Sequence, residues 1–175
     1  MIAAAGLRKT FGATLVLEDV TLDVPAGQCL AVLGPNGTGK TTLLRILATL
    51  ARPSAGTLRI DGVDAVREPD AVRARIGMVA HGSHVYEDLT ALENLRFWAA
   101  MGGLDASPAR LHERLQAVEL DTVADERART FSAGMKRRLG LARVTLGRPR
   151  LLLERWQGVK SRDHALFEFG RLRHR

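Results

Sequence analysis

An α/β fold is what this sequence predicts: a mainly parallel sheet core, an antiparallel β portion near the N-terminus and a small helical subdomain. Three observations carry that prediction. A continuous apolar run, Cys29-Leu30-Ala31-Val32-Leu33, ends at a glycine and reads as a buried strand. After a glycine-rich stretch, Leu43, Leu44, Ile46, Leu47 and Leu50 recur at helical spacing, so strand, loop and helix follow one another directly. Further on, two helix starts announce themselves by their capping residues, with no strand pattern between them.

Taken in order, the opening segment reads as two short strands joined by turns, with mixed apolar alternation from Val16 to Val24 and a turn at Pro25-Ala26-Gly27. Arg52-Pro53-Ser54-Ala55-Gly56 stops the helix that follows the glycine-rich stretch. Thr57 to Gly62 then reads as a strand and turn, and Ile76 to Ala80 as another strand. Thr90-Ala91-Leu92-Glu93 is a capping box that opens a helix to about Met101, because threonine and glutamate side chains answer free N–H groups at a helix start. Ser107-Pro108 opens a further helix through Leu120, with serine as N-cap and proline in the first turn.

The length, 175 residues with 46% hydrophobic residues, fits one domain spanning 1–175 with the helical subdomain at about 83–128. No apolar run approaches the roughly 20 residues that cross a bilayer, and the start lacks a charged leader before an apolar stretch, so neither a membrane span nor a secretion signal is expected. Cys29 stands alone and has no partner for an internal disulfide, which suits the cytoplasm. The net charge of +7 is uneven: residues 1–128 hold 13 basic and 16 acidic residues, residues 129–175 hold 13 basic and 3 acidic. A basic end suits nucleic acid or anionic lipid, but the chain has no RNP-like or zinc motif and only 5% aromatic residues, which argues against nucleic acid.

Chemistry concentrates at Gly34-Pro35-Asn36-Gly37-Thr38-Gly39-Lys40-Thr41-Thr42, which satisfies G-x-x-x-x-G-K-[ST] between a predicted strand and a predicted helix. Glycines let the backbone curl so that successive N–H groups and the helix N-terminus face phosphates. Lys40 offers a mobile positive charge to the terminal phosphates, and the Thr41 hydroxyl is a ligand for magnesium. The pattern and its context point to a nucleoside-triphosphate site.

Around this loop the chain resembles the ATP-binding subunit of ABC transporters over nearly all of residues 1–160. Lys9-Thr10-Phe11-Gly12 falls where such subunits carry the aromatic that stacks on adenine, so the resemblance gives Phe11 that role; the alternative is a core residue on a strand face. Arg129-Thr130-Phe131-Ser132-Ala133-Gly134-Met135 resembles the family signature. In the family this segment closes over the terminal phosphate bound to a second subunit, a role that passes to Ser132, Ala133 and Gly134. The segments Val79 to Ser83, Tyr86 to Phe97 and the R-T-F-S-x-G-M signature together look like the haem-exporter ATPase of cytochrome c maturation (CcmA-like). Related drug and polysaccharide exporters share much of this wording. The resemblance implies ATP and magnesium as cofactors and a homodimer of ATP-binding subunits. It also implies transmembrane permease partners and a site on the cytoplasmic face of the cell membrane.

Two departures bear on mechanism. His81 stands where the family carries the Q-loop glutamine, which reaches magnesium and the attacking water; histidine has a different reach and titrates near neutrality. A plain loop residue is the alternative there. After Pro149-Arg150 the family runs through an apolar strand to an Asp-Glu pair, whereas this chain gives Leu151-Leu152-Leu153-Glu154-Arg155-Trp156-Gln157-Gly158-Val159. Matching Glu154 to the catalytic glutamate aligns Gly158-Val159 with later family positions but leaves no magnesium aspartate. Keeping the strand at full length puts Arg155 and Trp156 in the two acidic positions. No apolar strand leading to a switch histidine follows, and His174, between two arginines, has the wrong surroundings for that role. The sequence reads as a transporter ATPase with an altered or lost catalytic end. A non-hydrolysing nucleotide-binding subunit and a degenerate gene product are the alternatives.

Overall fold

A computed structural model describes residues 1–79, 85–154 and, as backbone, 164–167. His81, Arg155, Trp156, Gly158, Val159 and His174 lie outside the described residues. Two compact units divide the chain, one of residues 1–78 with the chain from 150 onward, the other of residues 79–149.

The first unit opens with a long antiparallel hairpin of β1 (Ile2–Phe11) and β2 (Thr14–Val24), where the sequence pattern suggested two short strands. The pattern understated β1 because Ala3, Ala4, Ala5 and Gly6 carry little alternation, yet Ile2, Ala4 and Leu7 all turn inward. A register shift between Ala4 and Leu7 brings Leu7 to the buried face. Then come β3 (Leu30–Leu33), α1 (Lys40–Leu47), β4 (Ala55–Ile60), β5 (Val63–Asp64), α2 (Pro69–Arg73) and β6 (Ile76–Val79). Strands β2, β1, β4 and β5 form one antiparallel sheet in that order. Leu43, Leu44, Ile46 and Leu47 of α1 share one core with Ile2, Leu7, Leu58 and Ile60, each such side chain contributing about 1.5–3 kcal/mol relative to exposure. Leu50, read as part of that helix face, lies beyond the helix and is exposed.

β7 (Leu151–Glu154) pairs with β6. The amides of Arg150 and Leu151 both donate to the Arg75 carbonyl, so the two strands leave from a common point and run the same way. Asp61 secures that starting point, its carboxylate accepting from Arg75 at 3.0 Å and Arg150 at 2.8 Å. One parallel pair, β6–β7, is thus found, whereas the other strand pairs among the described residues are antiparallel. β3 departs from expectation: it pairs antiparallel with β8 (His164–Phe167), and Leu33 is 56% exposed. A continuous apolar run predicts burial on both faces, and among the described residues β3 has one strand neighbour.

The second unit is helical. α3 (Ala91–Met101) begins with the capping box as predicted: Thr90 Oγ1 accepts from the Glu93 amide at 3.1 Å, and Glu93 Oε2 accepts from the Thr90 amide at 2.8 Å. α4 (Pro108–Gln116) ends four residues before Leu120, and Ser107 does not cap it with its side chain. Instead, Asp105 Oδ1 accepts from the Ser107 amide at 2.8 Å, a contact that lowers the Asp105 pKa. α5 (Ala133–Thr145) completes the unit, and Leu95, Leu111, Leu115, Phe131 and Leu139 form its core. Among the described residues no helix is long and apolar enough to cross a membrane.

Candidate functional site

The loop between β3 and α1 is shaped by backbone angles that ordinary side chains resist. Gly37 has φ +88° and Gly39 φ +84°, and a Cβ on Gly39 would stand 2.7 Å from Leu17 Cδ2 and 2.8 Å from the Val16 carbonyl. Glycine at 39 therefore serves both the turn and the close seat of the loop on β2. Thr38 Oγ1 donates to the Pro35 carbonyl at 3.0 Å and closes the loop's inner turn. Lys40 folds back across it, its ammonium donating to the carbonyls of Gly34 at 2.6 Å and Pro35 at 2.5 Å.

Gly39 is the N-cap of α1, and no side chain caps the helix there; its first turn carries no acidic residue. The leading N–H groups of a helix and its positive dipole end favour an anion, and here a cation, Lys40, stands beside them. Thr41 is exposed in that first turn, with Thr42 next to it. Among the described residues no cluster of three or more His, Cys, Asp or Glu side chains exists, so a divalent ion here would rely on phosphate oxygens with a hydroxyl such as that of Thr41.

Phe11 lies at the tip of the β1–β2 hairpin and is 54% exposed, which excludes the core alternative. The same hairpin meets the glycine loop: Leu17 pairs with Lys9 across the strands and packs on Gly39. Lys9 Nζ stands 4.8 Å from the Phe11 ring centroid, a contact that sequence reasoning missed. The signal was available, since residues two apart on a strand face the same side.

In the helical unit Ser132 is the N-cap of α5, its Oγ accepting from the Met135 amide at 3.2 Å. Among the described residues its hydroxyl donates to no protein group. Gly134 has ordinary helical angles, and a Cβ there would meet only Ser132 Oγ, at 3.8 Å. Packing among the described residues does not require glycine at 134, although alanine would favour the helix by about 1 kcal/mol. Glu154 ends β7 and is buried.

Asn94 is a buried polar residue that the sequence did not single out. Its Oδ1 accepts from the Tyr86 amide at 2.8 Å, and its Nδ2 donates to the carbonyls of Tyr86 and Thr90, both at 2.9 Å. The asparagine thus shapes the turn that leads into α3.

The sequence matches the ABC transporter family over residues 17–154. It is 40% identical over 153 residues to the daunorubicin/doxorubicin resistance ATP-binding protein DrrA of Streptomyces peucetius, covering 86% of this chain and 46% of that protein. To the Nod factor export ATP-binding protein I of Cupriavidus metallidurans it is 38% identical over 151 residues, covering 84% and 49%. The chain spans about half the length of these curated relatives. Among solved structures, it is similar to a dimeric post-hydrolysis structure of the ATP-binding cassette MJ0796 bound to ADP and Pi. That match has a TM-score of 0.71 and 27% identity, covering 88% of this chain and 73% of that one.

Proposed function

The chain belongs to the ABC transporter family, with the α/β P-loop fold of its ATP-binding subunits, and from that premise we propose that it binds Mg-ATP to energise export through a membrane partner. The observation that carries the proposal is the glycine loop at the uncapped N-terminus of α1, with Lys40 across it. In this reading Gly34 to Gly39 present amides to the phosphates, Lys40 neutralises the terminal phosphates, and Phe11 stacks on the base. Thr41 would hold magnesium, whose chemistry is to bridge and neutralise phosphate oxygens; Thr42 would continue the amide row.

Ser132, Ala133 and Gly134 are proposed to act on nucleotide held by a second copy. A glycine with open space beside it among the described residues, next to the N-cap hydroxyl of Ser132, suits close approach by a ligand from outside the chain. The partners proposed are accordingly a second ATP-binding subunit and transmembrane permease subunits, with the chain peripheral on the cytoplasmic face of the membrane. For cargo, the named relatives favour drug-type or Nod factor-type export. Haem export for cytochrome c assembly rests on the wording of residues 79–97 and 129–135 alone. A non-hydrolysing nucleotide-binding subunit is the second reading, favoured by the sequence Glu154-Arg155-Trp156 at the end of β7.

Lys40→Ala tests the first reading. It removes a charge-assisted contact of about 1.5–3 kcal/mol, so ATP affinity should fall about ten- to hundredfold by calorimetry. Because Lys40 also ties the Gly34 and Pro35 carbonyls, the variant's thermal unfolding is measured alongside. Equal ATP affinity in the folded variant and the parent would overturn the proposal.

A further inference from the structure

We propose that Lys9 is a positioning residue for nucleotide recognition: it covers one face of Phe11 and makes the ring a one-sided platform for a flat, neutral, electron-rich base. The inference rests on the nucleotide reading above and adds to it a residue and a preference for ring chemistry. Lys9 Nζ lies 4.8 Å from the ring centroid and donates to the Arg52 carbonyl at 2.8 Å, so the ammonium is tethered beside the ring. The tether is itself fixed. Ser54 donates its amide to the Arg8 carbonyl at 2.7 Å, and its hydroxyl accepts from the Thr10 amide at 3.1 Å, binding the hairpin to the 52–54 turn.

Two consequences follow from the charge. An aromatic face is negative, and an ammonium over one face draws on that density, leaving the opposite face less negative. A second cation is then disfavoured there, and the π-cloud of a purine is accepted more readily. The second consequence is geometric: with one face covered by the tethered ammonium, a base has a single side on which to stack. Lys9 acts on the base through Phe11, without needing to touch the phosphates.

The test uses the full chain and calorimetry with two probes, Mg-ATP and magnesium tripolyphosphate, the second carrying phosphates without a base. Lys9→Met should weaken Mg-ATP about two- to fivefold, the range of an exposed cation–π contact, and leave tripolyphosphate unchanged. In the Phe11→Ala background the same substitution should have no further effect on ATP, and Lys9→Arg should restore near-parent affinity by keeping the cation. Equal weakening of both probes, or an undiminished effect of Lys9→Met without the ring, would overturn the proposal, since the lysine would then act on phosphate. No change with ATP would overturn it too. Binding of neither probe by the parent chain would instead refute the nucleotide reading on which the proposal stands, and the proposal with it.

Discussion

Gly39 is the residue at which chain geometry and ligand chemistry meet. Its amide leads into α1, its φ of +84° opposes any side chain, and the space where a Cβ would stand is taken by Leu17 and by the Val16 carbonyl. Gly39→Ala should therefore do double damage: about 1–2 kcal/mol for the left-handed backbone, and a forced separation of the loop from β2, because the Val16 carbonyl cannot rotate away as a side chain would. We expect a lower melting temperature together with ATP affinity reduced by more than the Phe11→Ala change alone. An unchanged melting temperature would mean that the loop relaxes off β2 freely. The glycines and Lys40 were legible in the sequence because their spacing is itself the device. Asn94 was not, because its role depends on the backbone of residues 86–90 that the fold brings to it, and Lys9 was legible only through its two-residue spacing from Phe11 on a strand.

At the scale of elements, helix starts were the most legible feature, and for a local reason: a cap is written within four residues. The Thr90–Glu93 box formed as its spacing predicts, and Ser132 caps α5. The end of α4 was not legible, since apolar spacing continues to Leu120 while the backbone leaves the helix after Gln116, with Glu119 at φ +56°. β3 was read as buried from its composition, but burial belongs to the neighbours a strand finds. Its described neighbour, β8, pairs with it antiparallel from the far end of the sequence, which the composition of β3 does not reveal. These contrasts predict the stability of the helical unit. Thr90→Ala removes one exposed capping bond and should cost about 1 kcal/mol. Asn94→Ala leaves the partly buried Tyr86 amide without its partner and removes the side-chain donations to the carbonyls of Tyr86 and Thr90, and should cost about 2–4 kcal/mol. Denaturant unfolding of the two variants checks the order; equal losses would show that the residue 86–90 turn finds other partners.

Across the whole molecule, binding and hydrolysis draw on different parts of the chain, and the sequence treats those parts differently. The groups proposed to bind ATP, from Phe11 to Thr42, lie in the first unit on a hairpin, loop and helix that share one core. The groups that would carry phosphoryl transfer are spread wider, and at the end of β7 the one carboxylate in the chain's sequence, Glu154, is followed by Arg155 and Trp156. Phosphoryl transfer is mostly positioning and electrostatic stabilisation, so a site that holds the phosphates but lacks a second carboxylate there keeps affinity and loses rate. We expect this chain to bind Mg-ATP yet release phosphate about 10²–10⁴-fold more slowly than a relative with an intact Asp-Glu pair, because the loss of a general base or a positioned stabilising group commonly costs that much. Phosphate release by the purified chain measures it, with Lys40→Ala and Glu154→Gln as controls against contaminating ATPase. Turnover at the relative's rate that either substitution abolishes would mean that Glu154 and its neighbours form a working catalytic end, and would exclude the non-hydrolysing reading. Slow turnover that falls in Lys40→Ala and is unchanged in Glu154→Gln, with ATP affinity intact in Glu154→Gln, is the expected pattern.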